Sequence, residues 1–380
     1  MSDQPDHDMM AKANHDEFAR QAFVTSLKRH ISSTITPGNK VEMEKRAIPA
    51  FKKRHKRAPK NRSELRKAME RGPHHQIWGS LMRTAQELMW ESVGDTVDRQ
   101  LDQLIRKARG GKKPLGSLRL DADLEIPRYI SQVDIHCMPG GYNTEVAPDD
   151  VRAGAIYDRG AFLYHLGQRG MDDNGRLLVA FILGEHSGLA PKRILDMGCT
   201  VGHATTALCD FFPDAETHAI DFGAPLLRYA HARAEAMGRA IHFTQANAEE
   251  TGFEDDTFDL VVSSNLMHET STRALPRIFA ECRRILRPGG VTAHMEVPVR
   301  YADMELYDQV MRGWQTHYNA EPFWDAACST NLVSMARKAG LTKARDGYLK
   351  RTMDPLGEPR TLSKIPNQGN DHRYLLTAVK

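Results

Sequence analysis

The chain has 380 residues, long for one domain and comfortable for two, and its 41% hydrophobic and 27% charged content is ordinary for a soluble globular protein. The longest apolar run before the central motif, residues 177–183, is too short to span a bilayer, and the polar, acidic residues 1–10 do not form a secretory signal. Five dispersed cysteines without a Cys-x-x-Cys pair exclude a disulfide or zinc framework and fit reduced thiols in a cytoplasmic protein.

Net charge is only +3, but residues 40–71 hold thirteen Lys/Arg against four Asp/Glu, a local +9. Residues 1–15 read as a mobile acidic head. Phe18, Ala22, Phe23, Leu27 and Ile31 then recur at helical spacing, until Thr36-Pro37-Gly38-Asn39 breaks the pattern. A short basic helix over 63–71 is closed by Gly72-Pro73. The longest helical pattern follows, from Ile77 to Leu104, with Gly94 as a point that divides it in two. A helix hairpin or small bundle is expected for 16–110. Only Phe51 interrupts the basic residues, so the stacking surface of a nucleic-acid binder is missing, and a solvated face or an acidic protein partner accounts for them better.

Residues 112–150 are punctuated by prolines and glycines, as a linker or wrapping segment is. Within them His136 and Tyr142 flank a Pro-Gly turn, either as a loop tucked onto the core or as a lid reaching a ligand. The division expected is a helical domain over 1–111, a linker or lid over 112–159 and a second domain over 160–380.

From residue 160 onward helix and strand alternate, which predicts a parallel, doubly wound α/β sheet. Its first unit is the strand ending Ile194-Leu195-Asp196, a turn Met197-Gly198-Cys199-Thr200-Val201-Gly202, a helix to Phe212 and a strand ending at Asp221. Asp221 lies 23 residues past Gly198, where such a unit offers a carboxylate to ribose hydroxyls. A nicotinamide fingerprint needs glycine at 198, 200 and 203, and only Gly198 meets it. Further strands are expected at 241–245, 258–265 and 291–299, with two closing strands at 344–349 and 374–379 that suit an antiparallel edge hairpin.

Asp196-x-Gly198-x-Thr200-x-Gly202 resembles motif I of the class I S-adenosylmethionine (SAM) methyltransferases, with Thr200 in place of the middle glycine. Ala246-Asn247-Ala248-Glu249 is similar to the family's adenine-reading turn. Phe258–Val262 resembles its fourth strand, and Arg284-Ile285-Leu286-Arg287-Pro288-Gly289-Gly290 resembles the turn before the fifth. The resemblance covers roughly residues 160–380, is closest to ubiquinone/menaquinone-type small-molecule methyltransferases, and does not extend to residues 1–150. It implies a Rossmann-like fold with seven strands, the last pair antiparallel, and SAM as cofactor, leaving S-adenosylhomocysteine. SAM would be held by Asp196, Gly198, Thr200, Gly202, Asp221, Phe222, Asn247, Ala248 and Asn265.

Because ligands sit outside the carboxyl ends of such strands, His268, His294 and Glu296 are the candidate catalytic groups. Glu296 and His294 share a face of their strand by alternation. His136, Tyr142, Trp314, His317 and Tyr318 are the candidate substrate contacts. No metal is expected. The reading that results is methylation of a small organic molecule, at oxygen, with a His/Glu base, and a homodimer through the N-terminal helices. A nucleic-acid methyltransferase and a non-catalytic scaffold are the alternatives.

Overall fold

The computed structural model describes residues 7–110, 113–167, 173–297, 300–350, 362–363 and 372–380. Its centre is an eight-stranded sheet in the order β1-β4-β3-β2-β5-β6-β8-β7. The strands are β1 (Ser117–Arg119), β2 (Arg193–Met197), β3 (Glu216–Asp221), β4 (Ile241–Gln245), β5 (Phe258–Ser264), β6 (Leu286–Glu296), β7 (Thr342–Lys350) and β8 (His372–Val379). β1 to β6 pair in parallel, and β8 runs antiparallel between β6 and β7, as the closing hairpin expected. The strand not foreseen is β1. It comes from the proline-rich segment, three residues with little apolar content, and adds itself beside β4.

Alternation along the strands sorts the core into two layers. Leu195 and Val261 face the helices Leu275–Ile285 and Leu332–Lys338, whereas Ile194, Leu260 and Val262 face Asp173–Glu185 and His203–Phe211. Chain order reverses about β2, which bonds to β3 on one side and β5 on the other. Ligands bind at such a switch point in open α/β sheets.

The N-terminal helices lie against this sheet layer. His15–His30 begins with a capping box in which Asn14 and Glu17 satisfy each other's backbone, and it packs along Pro73–Asp98. Pro73–Asp98 runs unbroken through Gly94, contrary to the sequence expectation; a single glycine costs a helix only about 1 kcal/mol, which tertiary packing outweighs. The segment 7–15 is also not the mobile head expected. Met9 and Met10 are buried, and His7 lies 2.9 Å from the buried Asp158 carboxylate. The tail carries two short helices, Trp324–Cys328 and Leu332–Lys338, the second capped by the Asn331 side chain.

Part of the basic segment's charge is paired, mostly with its own acids. Arg57 grips Glu64 with two bonds of 2.7 and 2.8 Å, and Arg62 reaches Asp325 at 3.0 Å. Among the described residues no helix is long and apolar enough to cross a membrane.

The helix Arg152–Tyr164 joins the two layers, packing on both Pro73–Asp98 and Ala224–Ala236. Gly160 lets Trp90 lie on it: a Cβ there would come 2.1 Å from Trp90 Cζ3. Gly160→Ala should therefore lower stability by about 1–3 kcal/mol, the usual cost of overpacking, as measured by urea unfolding. Unchanged stability would mean that the ring yields freely.

Candidate active site

The loop after β2 is bent by backbone needs that its residues meet unequally. Gly198 has φ +71°, and a Cβ on it would meet Leu266 Cδ1 at 2.8 Å. Thr200 holds φ +49° without glycine's freedom, a strained conformation of the kind that persists where surrounding structure fixes it. Asp221 does much of the fixing: its Oδ2 accepts the Thr200 N–H at 3.0 Å and its Oδ1 the Gly223 N–H at 2.9 Å.

Above this loop is a cavity of about 140 Å³. Asp196, Gly198, Thr200 and Asn265 line it from the sheet side, and His136, His268, Glu269 and Glu321 from above. Asp196 is buried; Oδ2 accepts from Thr205 at 2.6 Å, while Oδ1 has no hydrogen-bond partner. Asn265 Oδ1 is likewise buried and unpartnered. Burial pushes the Asp196 carboxyl up to about 7 and that of Asp221 up to about 6. Buried acceptors that lack donors are normally matched by something, so this floor is suited to a ligand rich in donors and positive charge.

The roof is a network of imidazoles and carboxylates. His268 Nδ1 stands 2.5 Å from Glu296 Oε2, and Glu296 Oε1 accepts the Met267 N–H at 2.6 Å. His136 Nε2 stands 3.1 Å from Glu269 Oε1, and its Nδ1 3.0 Å from Glu321 Oε1. Burial alone would lower both imidazoles, but the neighbouring glutamates more than offset it: His268 titrates above the usual range and His136 well above. The backbone carbonyl of His136 is held by Trp90 Nε1 at 2.7 Å and Gln86 Nε2 at 3.1 Å, and the residue sits at φ +57°.

Not every sequence candidate reaches this cavity. His294 is buried deeper in β6, bonded to Ser263 at 2.8 Å and Thr292 at 2.7 Å, and burial pushes its imidazole down to about 3. It shares a strand face with Glu296 but sits one side-chain repeat below it, about 6–7 Å. Tyr142 stands behind the roof, its hydroxyl 3.3 Å from Glu269 Oε1. Asp221, Phe222, Asn247 and Ala248 lie outside the cavity lining; Asn247 Oδ1 is taken up by the Glu249 N–H. Gly202 caps the helix that follows the loop, at φ +80°.

A second chamber of about 500 Å³ adjoins the first and shares Tyr164, Val297, Gln315 and Trp324 with it. Trp314 lines this chamber with Trp78 and Met311, whereas His317 and Tyr318 line neither space. His317 faces Asp325 instead, at 3.7 Å. Glu269 and Glu321 were not singled out from the sequence. Glu269 adjoins His268 and was within reach of that reading, but nothing periodic marks Glu321 as buried.

Residues 194–290 match the family described as Methyltransferase domain. A malonyl-[acyl-carrier protein] O-methyltransferase of Methylococcus capsulatus is 32% identical over 175 residues, covering 45% of this chain and 58% of the relative. A demethylmenaquinone methyltransferase of Thermus thermophilus is 34% identical over 109 residues, covering 29% and 49%. The chain thus spans roughly half the length of these two relatives. Among solved structures, PigF with S-adenosylhomocysteine aligns at TM-score 0.44 and 12% identity, covering 64% of this chain and 65% of that one. Residues 194–290 are thus similar to a methyltransferase domain, in the region that carries the loop after β2 and the strands β3 to β5.

Proposed function

We propose that the chain methylates a small organic molecule at oxygen, with SAM as donor and a His/Glu pair assisting removal of the acceptor's proton. The observation that carries this is the Asp196 carboxylate, buried with Oδ1 unpartnered in a cavity that also holds His268. The residues present fit SAM. Asp196 and Asn265 would take the ammonium end, and Asp221 has lone pairs left for ribose hydroxyls beyond its two backbone bonds. When bound, SAM supplies an electrophilic methyl group on a sulfonium sulfur, so the chain's work is mainly alignment.

His268, oriented by Glu296 through Nδ1, presents its Nε2 toward Glu269 and Glu321 at the cavity roof. A hydroxyl brought there meets the groups able to draw its proton. The adjoining chamber, with Trp78, Met311 and Trp314 in its walls, has a volume within the usual range for small-molecule sites, about 300–1,000 Å³, and suits a mainly apolar acceptor. The names of the relatives support the same class: one acts on a carrier-bound malonyl group, the other on a demethylmenaquinone.

Calorimetry tests the donor site. Micromolar SAM binding is expected, weakened by about 1–3 kcal/mol in Asp221→Ala, the scale for losing a charge-assisted hydrogen bond. Binding should also fall with falling pH. Asp196 and Asp221 lose their charge through about 7 and about 6, and a neutral carboxyl no longer attracts an ammonium group. Absence of SAM binding by the intact protein would end the proposal.

A further inference from the structure

The roof of the cavity has a geometry that proton transfer alone does not require. Three potential ligand atoms converge there, one each from His136, His268 and Glu269, all within 4.8 Å of one another. Both imidazoles turn Nε2 toward Glu269 Oε1, at 3.1 Å for His136 and 4.0 Å for His268. Both have Nδ1 held from behind by a fully buried carboxylate, Glu321 for His136 and Glu296 for His268. A carboxylate behind each imidazole is the arrangement by which proteins orient metal-ligating histidines.

Two further observations point the same way. Glu321 is 1% exposed, and although its Oε1 accepts from Asn319, its Oε2 has no hydrogen-bond partner and stands 3.8 Å from His268 Nε2. A buried carboxylate oxygen without a donor is costly unless a cation offsets it. In addition, His136 and Cys137 hold consecutive positive φ values, +57° and +59°, with the His136 carbonyl clamped by Trp90 and Gln86. The backbone is thus strained in the one place that turns this imidazole inward.

We infer that His136, His268 and Glu269 bind a divalent first-row transition ion such as zinc, with Glu321 Oε2 beside the open coordination positions. Two imidazoles and one carboxylate are a donor set for such ions, and a ligand set that leaves positions free is the catalytic kind. The inference deepens the proposed function and rests on it for the role of the ion. Held there, the ion would take the acceptor oxygen as a further ligand. The O–H bond would break as the oxygen–metal bond forms, with the proton passing to Glu321 Oε2. His268 would then act through the ion, as its ligand, with Glu296 as a positioning residue.

The test is zinc and cobalt binding by the full chain, followed by elemental analysis after desalting and by the visible absorption of the cobalt form. The expected result is one ion per chain, abolished in His136→Ala and Glu269→Ala and unchanged in His55→Ala, whose side chain is exposed on the distant basic helix. Glu296→Gln should weaken binding by about 10–100-fold, the effect of losing an outer carboxylate. Circular dichroism checks folding, and should His136→Ala fail to fold, His136→Gln and the absorption of the wild-type cobalt form decide the matter. A wild type that holds neither ion, or ligand variants that hold it equally well, would overturn the site. SAM binding without ion binding removes only the metal site. Ion binding without SAM binding removes the methyl-transfer reading and leaves the site standing.

Discussion

Replacing His268 by alanine should reduce methyl transfer by about 10²–10⁴-fold, the range for losing a positioned proton-transfer group, while SAM still binds. The ring is buried, packs edge-on against Trp324 at 5.0 Å between centroids, and is fixed through Nδ1 by Glu296 at 2.5 Å. His136 and Glu269 are already paired with each other at 3.1 Å, and Glu269 also takes the Tyr142 hydroxyl, so neither is free to take its place. Glu296→Gln is the graded companion, since the amide keeps the shape but not the charge that orients the imidazole. S-adenosylhomocysteine release at saturating SAM measures the loss, and calorimetry shows whether donor binding survives. Full turnover by His268→Ala would remove this histidine from the reaction, whether as proton acceptor or as ligand.

Asp158→Asn should cost about 3–5 kcal/mol of stability, the cost of breaking a buried ion pair from one side. Asp158 is 1% exposed and gathers His203 at 2.8 Å, His7 at 2.9 Å and the Tyr229 hydroxyl at 2.9 Å, with Arg233 at 3.5 Å. Burial would raise its carboxyl, but the bonds from His203 and His7 outweigh that and hold it well below the usual carboxylate range. Asparagine fills the space but leaves the buried Arg233 without that compensating charge. The sign with pH follows from the depressed value. The contribution is complete above about pH 4, where the unfolded aspartate is ionised, and is lost as pH falls toward the folded value. Urea unfolding of wild type and variant at neutral and acid pH measures both effects. A variant within about 0.5 kcal/mol of wild type at neutral pH would show the network to be dispensable.

The loop after β2 was legible in the sequence, whereas of the roof His136 and His268 were singled out but Glu269 and Glu321 were not, for a physical reason. Asp196, Gly198 and Asp221 belong to one contiguous strand-turn-helix-strand unit, where local backbone demands restrict the residue types. β5 could be read from its continuous apolar content because both its faces are covered. The roof is assembled across long separations: His136 and Glu269 are 133 positions apart, and His136 and Asn319 are 183 apart. No spacing rule reaches that far. His136 was reachable only as a reactive side chain beside a Pro-Gly turn, and Glu321 gave no sign of burial. His294 shows the limit of alternation, which gives the face of a strand but not the depth along it. β1 escaped because an edge strand of three mostly exposed residues carries no apolar pattern.

The clamp on His136 has a consequence for dissecting the molecule. Its carbonyl is gripped by two side chains of a helix that lies wholly before residue 100, while its ring meets glutamates from beyond residue 260. Under the proposed function, an excised piece holding only 194–290 would keep Asp196, Asn265, His268 and Glu269 and lose His136, Glu296 and Glu321, which complete the roof. Under that same reading, grafting residues 194–290 onto a foreign partner would transplant the methyl-source contacts and leave behind the groups that choose what is methylated.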